Sequence, residues 1–117
     1  LRWLADNGVR VIGADSSRCT GYIFNSADVP LQGRLDGGLP SACGRLLILN
    51  GIPAGERIQD ASMIRLGIAA GKRAEAAGGI YHPAANAEFD RLTGGESSRI
   101  QLRSIIANAM LARHLTE

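Results

Sequence analysis

Aromatic residues are nearly absent from this 117-residue chain, with Phe, Tyr and Trp together making up 4% of it. Its core must therefore be filled by Val, Ile, Leu and Ala, drawn from the 45% of residues that are hydrophobic. Lysine is scarcer still: Lys72 stands alone among 13 Lys and Arg residues. Arg forks suit bidentate phosphate contacts, but GC-rich coding DNA produces the same bias and is the weightier explanation. A net charge of +2 announces no nucleic-acid partner on its own. No apolar run approaches the roughly 18 residues that a membrane span needs, so no membrane partner is expected. His82 and His114 lie far apart, and Cys19 and Cys43 lack metal-type spacing, which argues against zinc. The start of the chain has no signal-peptide pattern. The cysteines are accordingly expected as free thiols in a reducing, cytoplasmic compartment. Leu1 opens the chain inside an apparent helix end, so residues upstream of it are expected.

What is present reads as one mixed α/β domain spanning 1–117, with a small sheet and helices packed on it. Leu1 to Asn7 reads as the end of a helix closed by Gly8. A β-branched run, Val9 to Ala14, predicts a strand that ends at Asp15. Gly21 allows a tight return, and a second strand is expected from Tyr22 to about Asn25. Ser26 to Gly44 is rich in Pro and Gly and reads mostly as loop, with an edge strand possible near Val29 to Leu35. The continuous apolar run Arg45 to Leu49 predicts a strand buried on both faces, stopped by Asn50-Gly51.

The later half is helical. Asp60 or Ser62 can cap a helix that runs to about Ala77. Inside it Gly67 and Gly71 lie four apart, as do Ala70 and Ala74. Each Gly costs roughly 1 kcal/mol relative to Ala in a helix interior, so tight packing against another backbone is expected to offset it. Ile80 to His82 reads as a short strand, followed by a helix that has Pro83 in its first turn. Ser98 and Gln101 form a capping-box pattern for a final helix from Arg99 to about Leu115. Its Leu102, Ile105, Ile106, Ala109 and Met110 share one face and are expected in the core. Ile100, Leu111 and Leu115 lie roughly opposite, as a surface for a homodimer.

Several chemistries are excluded by pattern. Gly71-Lys72 is followed by Arg73 and has Leu66 where the first Walker glycine belongs. No Gly-x-Gly-x-x-Gly follows a strand, and no Gly-x-Ser-x-Gly elbow is present. Asp15 remains, as a carboxylate delivered by a strand end. On the residues alone, a turn-capping Asp explains it as well as a metal ligand does.

The stretch Ile12-Gly13-Ala14-Asp15-Ser16-Ser17, continuing to Thr20-Gly21-Tyr22, resembles the first catalytic motif of RuvC-type Holliday junction resolvases in the ribonuclease H-like superfamily. Ile48-Leu49-Asn50-Gly51 is similar to their second strand motif. Ser62 to Gly71 resembles the long helix after it, and Gly94 to Leu102 resembles the loop and helix start that bring in a basic residue. Sugar kinases and actin-like ATPases share a related Asp hairpin. The resemblance implies a ribonuclease H-like fold in shortened form and a Mg²⁺-dependent endonuclease acting on branched DNA. Asp15 would then be metal ligand and catalytic residue, Asn50 its neighbour, and Arg99 the residue steadying the phosphate. Arg18, Lys72 and Arg73 would contact the DNA backbone. The family carries Glu where Asn50 stands, and its last acidic motif would fall beyond Glu117. Those two departures keep a catalytically inactive binding or assembly subunit open, and an unrelated small α/β oligomeric protein remains a third reading.

Overall fold

Strand β1 (Val9–Gly13) is the centre of a parallel ribbon in the computed structural model, which describes residues 1–41 and 44–117. On one side it pairs in parallel with β4 (Arg45–Leu49), from Val9 against Arg45 to Gly13 against Leu49. On the other side, residues 32 to 35 run alongside it. The Gln32 amide donates to the Val11 carbonyl (2.9 Å), the Gly13 amide to Gly33 (3.0 Å), and the Leu35 amide to Gly13 (2.8 Å). Being flanked on both sides is why Val11 and Ile12 are buried, Ile12 completely. A short helix, α1 (Arg2–Asp6), precedes β1, and Gly8 takes the positive φ of 72° expected after a helix end.

The second strand pair differs from the sequence expectation. Strand β2 (Arg18–Gly21) pairs antiparallel with β3 (Asn25–Pro30), so the hairpin is β2–β3, and β1 takes no part in it. The Tyr22–Phe24 run predicted as strand is instead the turn. Ile23 and Phe24 are buried there because they leave the hairpin toward Ile52 and Ile100, with which they form a hydrophobic cluster. Strand β3 hid in the stretch read mostly as loop, because all its residues are exposed and no apolar alternation marks it. Nor is β4 buried on both faces. Arg45 and Leu47 are exposed while their neighbours are half-buried, so only one face of β4 is covered. Cys19 is a free, half-buried thiol, whereas Cys43 lies outside the described residues.

Helix α2 (Ser62–Ala76) begins where Asp60 accepts hydrogen bonds from the Ser62 amide (2.9 Å) and hydroxyl (2.6 Å). Both bonds hold the Asp60 carboxyl below its ordinary range. Helix α3 (Tyr81–Leu92) folds back against α2, and Tyr81 to His82 are its first residues, not a strand. Ile80 alone is extended, and Pro83 in the first turn needs no amide partner. The two helices meet over the glycines. A Cβ on Gly67 would collide with the Phe89 ring, and one on Gly71 would lie 2.7 Å from the Tyr81 ring. Phe89 in turn stacks edge-on against Phe24, with ring centroids 5.1 Å apart.

Helix α4 (Glu96–Thr116) starts earlier than the capping box suggested. Its first turn is capped from α3: the Ser97 amide donates to Thr93 Oγ1 (3.0 Å), and the Ser98 amide donates to Asp90 Oδ1 (3.2 Å). The bond from Ser98, with one from the Ser97 hydroxyl to Asp90 Oδ1 (3.3 Å), keeps the Asp90 carboxyl low.

The face α4 turns inward is also the reverse of the one expected. Ser97, Ile100 and Ser104 are buried, and Leu111 and Leu115 on the same side are half-buried. Leu102, Ile105, Ile106 and Met110 are 52–68% exposed. On that inner face Ser97 bonds to Thr93 and Asp90, and Ser104 lies beside the loop after β4. The more apolar stripe is left facing out. A radius of gyration of 16.2 Å, against about 13 Å for a compact chain of ~100 residues, fits this incompletely covered arrangement.

Packing at Gly67 gives the first prediction. Helix propensity alone favours Gly67→Ala by roughly 1 kcal/mol. The Phe89 ring is held against Phe24 and cannot yield freely, so overpacking should cost about 1–3 kcal/mol. Net destabilisation is expected in urea unfolding, whereas Gly55→Ala, with open space around it, should be close to neutral.

Candidate functional site

Parallel pairing decides where the strand ends go. The Ala14 amide donates to the Leu49 carbonyl (2.8 Å), which sets Asp15 and Asn50 just beyond the C-terminal ends of two neighbouring strands. Such ends are the common ligand-binding edge of a parallel sheet. A cleft of about 810 Å³ opens there. Asp15, Arg18, Thr20, Asn50, Arg57 and Ser104 supply its polar wall, and Leu31, Leu47 and Ile105 are among its apolar residues.

The turn that carries Asp15 depends on Gly13. The Ser16 carbonyl folds back over Gly13, where any Cβ would collide with it. The Arg18 amide then donates to Ser16 Oγ (3.1 Å), closing the turn. Asp15 is exposed, and its side chain enters none of the hydrogen bonds formed among the described residues, so its carboxylate is unspent. Arg18 is engaged by Asp28 through a 2.6 Å contact on an exposed surface. That hydrogen bond and charge raise the Arg18 guanidinium and lower the Asp28 carboxyl. An exposed pair of this kind adds little to stability.

The other residues singled out from sequence lie elsewhere. Arg99 donates through Nε to Glu96 (2.9 Å) and through Nη2 to the Gly94 carbonyl (3.1 Å). It ties Glu96 to the loop before α4 and does not line the cleft. Glu96 also receives Arg103 (2.9 Å), and the two guanidinium groups hold its carboxyl below the ordinary range. Lys72 and Arg73 are exposed on α2 and do not line the cleft either. Thus Asp15, Asn50 and Arg18 come together, and Arg99, Lys72 and Arg73 do not join them.

Arg57 was not singled out in the sequence and is the residue the fold adds. It is only 7% exposed. Its Nε donates to the Ile52 carbonyl (2.8 Å), and its Nη1 donates to Thr20 Oγ1 (2.9 Å) and Asn25 Oδ1 (3.1 Å). One guanidinium thereby ties the loop after β4 to both strands of the β2–β3 hairpin. No sequence signal marked it, because it sits in a short polar loop beside a 3-10 turn (Ala54–Glu56) where an exposed Arg is the ordinary expectation.

Hydrolysis assisted by two cations needs several carboxylates around one point. Among the described residues, Asp15 is the only carboxylate lining the cleft. Among the described residues, no three His, Cys, Asp or Glu side chains gather as a metal site. The neutral amide of Asn50 is a weaker partner for a hard cation than a carboxylate. This donor set does not fit a two-ion centre. No protein-family model matches the chain, and no curated protein matches it.

Replacing Gly13 tests the turn. Gly13→Ala should destabilise the protein by about 1–3 kcal/mol through the forced shift of the Ser16 carbonyl. Gly38→Ala, with nothing within 4 Å of the new Cβ, should stay within about 0.5 kcal/mol of the parent, as surface changes usually do. Paired urea melts of the two variants give the comparison.

Proposed function

We propose that this chain is a RuvC-like, ribonuclease H-like domain that holds the backbone of branched DNA in the Asp15 cleft, as a binding subunit without two-metal cleavage of its own. The observation that carries the proposal is the β1–β4 pairing. It brings the Gly13-Ala14-Asp15 turn and the Leu49-Asn50-Gly51 turn to the same cleft, as the resemblance implies for the first two motifs. Binding is favoured over cutting because the described residues place one carboxylate in that cleft, with Asn50 beside it. Arg18 exchanges its weak, exposed pair with Asp28 for a backbone contact in this reading, which positions DNA without reading its sequence.

A labelled four-way junction, titrated at 50 and 200 mM salt with Mg²⁺ present, tests it. Binding should weaken with salt as phosphate contacts release counterions. Arg18→Ala should weaken binding and reduce the salt slope by about one. Asp15→Asn, which removes a negative charge beside the backbone, should leave affinity unchanged or raise it. Cleavage by the parent that Asp15→Asn abolishes would replace the binding role with the endonuclease. Failure to bind the junction at 50 mM salt would remove both.

An assembly role has its own observation, the exposed Leu102, Ile105, Ile106 and Met110 face of α4. A homodimer through this face, not through Leu111, is the form the reading takes. Ile106→Glu should turn a dimer seen by light scattering into a monomer, whereas Leu111→Ala should not.

A further inference from the structure

We infer that the Arg57 guanidinium is an oxyanion-binding group, taking a phosphate oxygen through its Nη2 beside the Asn50-Gly51 turn. Its charge is permanent, because arginine does not lose its proton in proteins. Buried charges are ordinarily paired with an opposite charge. Here, among the described residues, every bonded partner is neutral: a backbone carbonyl, a hydroxyl and a side-chain amide. Among the described residues no carboxylate comes within 4.0 Å of it.

Nε and Nη1 are committed to those neutral acceptors, which hold the planar fork in one orientation. Nη2 makes no hydrogen bond among the described residues. It is not sealed off either, since no buried side-chain nitrogen is left without a partner. It lies beside Gly51, where a Cβ would be 3.7 Å from Nη2. Arg57 borders a second hollow on its other side, with Glu56, Glu96 and Arg103. Gly51 lines the cleft and a smaller hollow beside Ser104 and Ala107, but not the Glu96 hollow, and of those two only the cleft also includes Arg57, which points the unbonded end of the fork toward the cleft.

A preoriented guanidinium with two spare N–H groups suits a tetrahedral oxyanion, to which charge-assisted bonds are strong and directional. Asn50, Thr20 and Ser104 on the same wall can complete the contact. The shared chemistry is the phosphate group, whether it belongs to a nucleic-acid backbone or is free in solution. Only the nucleic-acid source rests on the function proposed above.

Inorganic phosphate is the first probe, titrated into the parent protein with ¹⁵N-resolved NMR and sodium chloride at matched ionic strength as control. Saturable shifts confined to the Thr20, Gly51 and Ile52 amides and Arg57 Nε are expected, and chloride should not reproduce them. Arg57→Gln should weaken phosphate at least tenfold, and Arg57→Lys should restore part of the loss. If both variants fail to fold, the parent titration alone decides. Absence of a saturable shift, or equal shifts with chloride, would overturn the inference, and junction binding unaffected by Arg57→Lys alongside it would leave the DNA reading standing. Phosphate binding at this site without junction binding would support the inference and remove the DNA reading.

Discussion

Parallel pairing between β1 and β4 is the constraint from which the rest of the molecule follows. Two adjacent parallel strands cannot be joined by a tight turn. The chain therefore has to leave β1 at one end and come back to the other before Arg45 can pair with Val9. The β2–β3 hairpin and the strip alongside β1 occupy that return path. Because both strands then exit on the same side, the turns after them converge. A cleft forms between those turns, the hairpin and α4.

Two apolar assemblies share the molecule. One is the β1 ribbon, with Val11 and Ile12 enclosed by its flanking segments. The other is the cluster of Ile23, Phe24, Ile52 and Ile100, extended by Phe89 from α3 and by Met63 and Ile64 from α2. Arg57 stands beside the second, at the joint between the Ile52 loop and the hairpin residues Thr20 and Asn25. A hydrogen-bonded cation at such a joint fixes loop positions that apolar contact alone would leave adjustable. Near it, the cleft has a mixed character: Asp15 is unspent, Arg18 is occupied by Asp28, and Arg57 keeps one nitrogen open. That balance suits holding a phosphate-bearing ligand better than assembling two cations around one carboxylate.

The site was legible in the sequence to the extent that it is local. The Gly13-Ala14-Asp15 turn showed as a strand end followed by short hydroxyl residues, and the collision that requires Gly13 lies within three residues of it. Asn50 showed as the stop after an apolar run. Arg99 looked equivalent in sequence, yet Glu96, one helical turn away, engages it at the helix start. Arg57 was invisible because its burial depends on Thr20 and Asn25, more than thirty residues distant.

The sequence by itself determined the elements whose cause is local. Strand β4 follows its apolar run, α2 follows Asp60 capping and helical periodicity, and the Gly67–Gly71 spacing marks the close approach of α3. Only the tertiary structure decided which strands pair and which way α4 faces. The final helix carries apolar residues on two sides, so periodicity gives a helix but not its inner face. The inner face is set by Ile100 packing with Ile23, Phe24 and Ile52 and by the Ser97 bond to Asp90, which leave Leu102, Ile106 and Met110 to solvent. Strand partners and buried faces are long-range quantities, fixed by what packs across the chain and not by the residues next in line.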